Sequence, residues 1–89
     1  MKMNEGFVMR EVAGQYVVIA IGEASKKFHG MIKLNGTGKD IWEGIQNGLS
    51  EKQIVENLME KYQVEKAEVE TDVKEFVGQM KDIGILADE

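Results

Sequence analysis

The chain has 89 residues, enough for one small domain and no more. Asp and Glu number 16 against 11 Lys and Arg, a net charge of −5 that argues against nucleic acid, and the absence of cysteine removes disulfides, thiol catalysts and cysteine-held metal clusters. No apolar run approaches the roughly 20 residues a membrane helix needs, and no signal-peptide layout opens the chain, so the expectation is a single domain over residues 1–89 in a reducing cytoplasm.

Glycine punctuates the first third at Gly6, Gly14, Gly22 and Gly30. The segments between them are rich in Val, Ile and aromatic residues and predict strands over about 7–12, 15–21 and 30–34. Ala13-Gly14 reads as a hairpin tip. Tyr16–Ile21 is apolar at both parities, as suits a central strand covered on both faces. Arg10, Glu11 and Lys33 mark the flanking strands as edges, and Glu23–Lys27 reads as a polar loop.

From residue 35 the apolar period becomes helical. Asn35 can cap a first helix over about 36–47 carrying Ile41, Trp42 and Ile45. Ser50 and Gln53 form the pattern of a capping box for a second helix over 51–62, with Ile54, Val55, Leu58, Met59 and Tyr62 on one side. Val69, Val73, Phe76, Val77, Met80 and Ile83 fall at intervals of three and four along a third helix, 66–83, and Gly84 is suited to end it. The class is therefore α+β: three antiparallel strands followed by a bundle of three helices. Trp42, Ile45, Leu58, Tyr62, Val73 and Phe76 are expected in its core, since a chain this short must bury nearly all its large apolar side chains.

Catalysis is poorly supplied. His29 is the only histidine, Ser25 and Ser50 the only serines, and Gly36-Thr37-Gly38-Lys39 lacks the spacing of a phosphate loop. The chain is read as no enzyme, with no cofactor. Glu65, Glu68, Glu70, Asp72 and Glu75 read as a solvated, dipole-complementing start to the third helix rather than a metal site. A winged-helix DNA regulator has the same outline of three helices and a small sheet. Its recognition helix would have to be 66–83, where Glu68, Glu70, Asp72, Glu75 and Asp82 oppose phosphate. What remains is the third strand, one side of which is unpaired in a 1-2-3 meander and can accept another strand: a peptide, or a second copy of the chain in a homodimeric interaction module.

The stretch Leu34-Asn35-Gly36-Thr37-Gly38-Lys39-Asp40-Ile41-Trp42-Glu43 resembles the L-N-x-T-[GA]-x-x-[IL]-W-E signature of the PqqD-like family. Ile54-Val55-x-x-Leu58, Tyr62-x-Val64, Asp72-Val73-x-x-Phe76-Val77 and Gly84-Ile85-Leu86 extend the likeness, as does the first hairpin from Phe7 to Tyr16. Gly36 stands where the family commonly has an acidic residue, and Gly44 interrupts the first helix at a cost of about 1 kcal/mol relative to Ala.

The resemblance implies a winged-helix-like peptide-binding module. Such modules bind the leader segment of a ribosomally made precursor peptide and present it to a modifying enzyme, often a radical S-adenosylmethionine protein. The product stays open between pyrroloquinoline quinone and another modified peptide. Carried over by position, the leader would add to Gly30, Met31, Ile32 and Lys33, with Phe28 and His29 at the entrance. It would lie against Val69, Asp72, Val73, Phe76, Val77 and Met80.

Overall fold

The computed structural model describes residues 2–87. Met1, Asp88 and Glu89, the ends of the domain expected over 1–89, lie outside the described residues. The element order is β1 (Phe7–Val12), β2 (Gln15–Ala20), a short 3-10 helix (Gly22–Lys26), β3 (Met31–Leu34), α1 (Gly36–Gln46), α2 (Glu51–Tyr62) and α3 (Lys66–Ile83). This is the α+β arrangement expected, an antiparallel sheet in the order β1-β2-β3 followed by three helices.

Ala13 and Gly14 take φ of 52° and 78°, the positive pair that a two-residue hairpin turn requires. The turn fixes the register, pairing Val12 with Gln15 and Met9 with Val18. Period two then places Val18 with Ile32 on the helix side, while Val17 lies between Arg10 and Lys33 on the other. Val18 joins the main core. Val17 is also only 5% exposed, but it stands apart from that cluster. Long side chains such as its cationic neighbours cover apolar groups with their stems, so burial on both faces does not require a second layer of helices.

Strand boundaries differ slightly from expectation. Ile21 makes the last bond to the β1 side, its N–H donating to Gly6 O at 2.7 Å, and β2 ends there because the next residues turn into the 3-10 helix in place of a simple loop. Gly30 precedes β3 instead of belonging to it, and α1 stops at Gln46.

The helices start where their caps dictate. Asn35 Oδ1 accepts the Gly38 N–H at 2.7 Å, and Ser50 and Gln53 exchange both bonds of the capping box. Gly84, at φ 94°, closes α3. Ile41, Trp42, Ile45, Ile54, Val55, Leu58, Val69, Val73, Phe76, Val77 and Met80 form the core with Ile85 and Leu86 from the C-terminal tail. Tyr62 does not join them. It is 40% exposed, because its hydroxyl donates to Asp40 at the helix surface.

The tail is tied to the start of the chain. Asn4 N–H donates to Ile85 O, Asn4 Nδ2 to Gly84 O and Ala87 N–H to Lys2 O, all between 2.8 and 2.9 Å. No helix among the described residues is long and apolar enough to cross a membrane.

Candidate functional site

The direction of the backbone groups on β3 follows from the hairpin. Val12 and Gln15 close a two-residue turn and so bond to each other, after which residues of β2 point alternately toward β1 and β3. Ile21, donating to Gly6 on the β1 side, keeps this alternation. Tyr16 and Val18 therefore face β3, and their opposite residues, Leu34 and Ile32, take those bonds. The main-chain N–H and C=O groups of Met31 and Lys33 point away from the sheet, and among the described residues no strand pairs with them. Their side chains, both exposed, stand on the sheet face away from the helices, while Ile32 and Leu34 pack against the core.

The end of α3 at Ile83 meets Phe28 before β3, and its middle, at Asp72 and Gln79, meets Asn35 after it, so α3 runs in the direction opposite to β3. The Phe76 ring reaches the N-terminus of α1, where a Cβ on Gly38 would lie 3.5 Å from Phe76 Cε2 and 3.5 Å from Leu34 Cβ. A cleft of about 220 Å³ opens there, lined by Asn35, Thr37, Gly38, Asp72, Glu75 and Gln79, with Phe76 and Ile41 at its floor. Past the other end of β3, a recess of about 420 Å³ lies between the 3-10 helix and the C-terminus of α3, with Phe28, Phe7 and Ile83 among its walls. Phe28 and Phe7 meet edge to face, centroids 6.0 Å apart.

The residues expected at the site divide into two sets. Phe28, His29, Gly30, Met31, Ile32 and Lys33 form one continuous stretch at the open edge, with His29, Gly30, Met31 and Lys33 exposed. On α3, only Asp72 and Phe76 line the cleft. Val69, Val77 and Met80 are core side chains, and Val73, fully buried, faces the seam between α2 and α3 beside Val55. The reason is one step of helical phase. The apolar stripe belongs to the core, and the stripe turned to Asn35 and the start of α1, just past the end of β3, is Asp72, Glu75, Phe76 and Gln79. Glu75, Gln79 and Thr37 also line the cleft, and the only sequence signal for them is their spacing from Asp72 or from the Asn35 cap.

The serine hydroxyls are engaged elsewhere. Ser25 Oγ donates to Gly22 O at 2.6 Å, and Ser50 Oγ accepts the Gln53 N–H at 3.2 Å. Among the described residues, no group of three or more His, Asp and Glu side chains is placed to hold a metal ion.

A separate polar cluster braces α1 against α2. Asp40, its side chain 14% exposed, accepts from Tyr62 Oη and from Lys61 Nζ at 3.0 Å. Burial pushes the Asp40 carboxyl up, but the bonds from Tyr62 and Lys61 outweigh it and hold the group below the ordinary carboxylate range. The same bond raises the Tyr62 phenol. Nearby, Lys39 pairs with Glu43 at 2.9 Å and sits 5.1 Å from the centre of the Tyr16 ring, joining α1 to the sheet.

Two solved structures have this architecture. TbiB1, in complex with the TbiA(beta) leader peptide, superposes with a TM-score of 0.82 at 20% identity, covering 100% of this chain and 98% of the other. Lasso peptide synthetase B1, complexed with a leader peptide, superposes with a TM-score of 0.80 at 20% identity, covering 98% and 96%. At that identity the likeness speaks for the fold alone. No curated protein sequence matches the chain. The family model described as coenzyme PQQ synthesis protein D matches residues 8–86, from the first strand to the buried tail. The chain thus belongs to the PqqD family.

Proposed function

We propose that this domain binds the leader segment of a ribosomally made precursor peptide as an added strand on β3 and presents it to a modifying enzyme. The observation that carries the reading is the pair of outward main-chain groups, Met31 and Lys33, beside a cleft walled by α3. An added strand gains backbone hydrogen bonds from the edge, and its alternate side chains enter the cleft, where selectivity resides. Membership of the family and the two leader-bound structures of the same fold support the same reading. The domain contributes no catalysis of its own. Its enzyme partner, in this account, is a radical S-adenosylmethionine protein acting in the cytoplasm.

Calorimetric titration with leader peptides encoded beside the gene tests the proposal, alongside backbone-amide NMR. Binding in the micromolar range or tighter, with shifts concentrated in residues 28–34 and lost in Lys33→Pro, is the expected result. Proline at 33 removes an outward N–H while leaving the bonds of Ile32 and Leu34 to β2 in place. Binding that leaves the 28–34 amides unmoved would refute strand addition.

The same edge could pair two copies of the chain, and sedimentation at rising concentration separates the cases. A dimer that dissociates on adding leader means the two compete for β3.

A further inference from the structure

The face of α3 that lines the recesses at the two ends of β3 changes character along its length. At steps of three and four it presents Glu68, Asp72, Glu75, Gln79 and Ile83, running from carboxylates through an amide to an apolar side chain. Glu68 and Asp72 line a smaller recess that shares Thr37 with the main cleft, so the acidic end is continuous. None of Glu68, Asp72 and Glu75 pairs with a cation among the described residues, whereas Asp40, Glu23 and Glu43 are all paired. At the opposite end, Lys26 and Lys27 are balanced by Glu5 and Glu23 around the Phe28 recess, and Lys26 is bonded to Glu23. Charge at that end largely cancels, leaving Phe28 and the 40% exposed Ile83 to discriminate.

The whole molecule follows the same division. The first 35 residues hold five Lys and Arg against three carboxylates, and the remainder holds six against thirteen. A strand added to β3 lies at the boundary, with one face toward the acidic helices.

Building on the leader-binding reading, we infer that the cleft selects and orients its peptide by this polarity. The bound segment carries Lys or Arg on its helix-facing side where it passes Asp72 and Glu75. It carries a large apolar residue on the same face where it reaches Phe28 and Ile83. Asp72 and Ile83 are eleven residues apart on α3, about 16 Å at 1.5 Å per residue, so in an extended peptide, whose side chains alternate faces, the two features fall about four or six residues apart. The order of the two along the peptide fixes which way its unbound end leaves the domain.

Selection of a displayed library of random ten-residue peptides against the intact protein tests this, repeated with the Asp72→Lys/Glu75→Lys variant. Both positions are exposed, so the variant keeps the fold, which circular dichroism verifies. The expected enrichment is a Lys or Arg about four or six residues from Phe, Leu, Ile or Met, with Asp or Glu replacing the cation in the variant. A selected peptide and its Lys→Glu counterpart should differ at least about fivefold in Kd at low salt, a gap that narrows as salt rises. Enrichment without a charge preference, or with the same preference in both proteins, overturns the inference while strand addition stands. If neither library peptides nor gene-neighbouring leaders bind, the leader-binding reading falls and takes this inference with it.

Discussion

A Cβ added to Gly44 would lie 2.8 Å from Cγ1 of Ile54 and 3.3 Å from its Cδ1. The glycine lets α1 and α2 approach closely, and both residues are buried. The sequence suggests that Gly44 weakens its helix, yet in the fold its missing side chain is what the packing requires. Gly44→Ala gains about 1 kcal/mol of helix propensity but forces overpacking that typically costs 1–3 kcal/mol. The expected net loss is about 1 kcal/mol, read from the midpoint of urea unfolding; a gain would show that Ile54 moves aside freely.

Ala13 is an alanine in the left-handed region, φ 52°, at the first position of the hairpin turn. Such a conformation costs an L-residue about 1–2 kcal/mol, and asparagine or glycine relieves it. Ala13→Asn should therefore stabilise the protein by about 0.5–1 kcal/mol. The side chain is exposed and has no packing to lose. Thermal unfolding at matched pH decides the sign.

Asp40 and Tyr62 give the domain two pH limits. The Asp40 carboxyl is held below its ordinary 3.8, so its contribution is complete above that value and disappears as pH falls through the lowered folded one. Tyr62 is held above 10.0, so its contribution is complete below that pH and disappears as pH rises through the raised value. Asp40→Asn should lower the urea midpoint by a constant amount between about pH 5 and 9. The difference from wild type should shrink beyond both limits. A difference that persists unchanged in acid would place the stabilisation elsewhere.

Trp42 is fully buried, and its indole N–H has no hydrogen-bond partner among the described residues. An unmet buried donor costs about 1–3 kcal/mol, so Trp42→Phe removes a penalty along with some packing. The variant should unfold within about 1 kcal/mol of wild type, whereas Trp42→Ala should lose about 3–5 kcal/mol. Near-equal losses in the two variants would mean that the N–H is satisfied after all.

Two prolines on one strand should behave differently. Ile32→Pro removes an N–H bonded to β2 and should destabilise the sheet itself, visible as lost amide-exchange protection at Val18 and Tyr16. Lys33→Pro touches only the outward side and should keep that protection while losing peptide binding. If Lys33→Pro also opens the sheet, the assignment of inward and outward groups is reversed.

Much of this was legible in the residues. Helix limits at Ser50 and Gly84 were readable because capping is local chemistry, and the Ala13-Gly14 hairpin because two positive φ values admit few sequences. The open edge was equally plain once a 1-2-3 meander was recognised. The helix wall of the cleft was less legible, since an apolar stripe shows which side of α3 is buried and says nothing of which polar flank faces a neighbour. The sequence pattern puts Tyr62 in the core for a similar reason. Its spacing fits the apolar side of α2, but spacing cannot reveal that Asp40 waits across the helix pair to accept its hydroxyl.

The bonds from Asn4 to Ile85 and from Ala87 to Lys2 bring Lys2 and Ala87, the first and last of the described residues, side by side, next to the Phe28 recess. A reporter attached at either residue would sit at the same corner, near the apolar end of the cleft. Energy transfer to a dye on one end of a bound peptide would then read out its polarity directly.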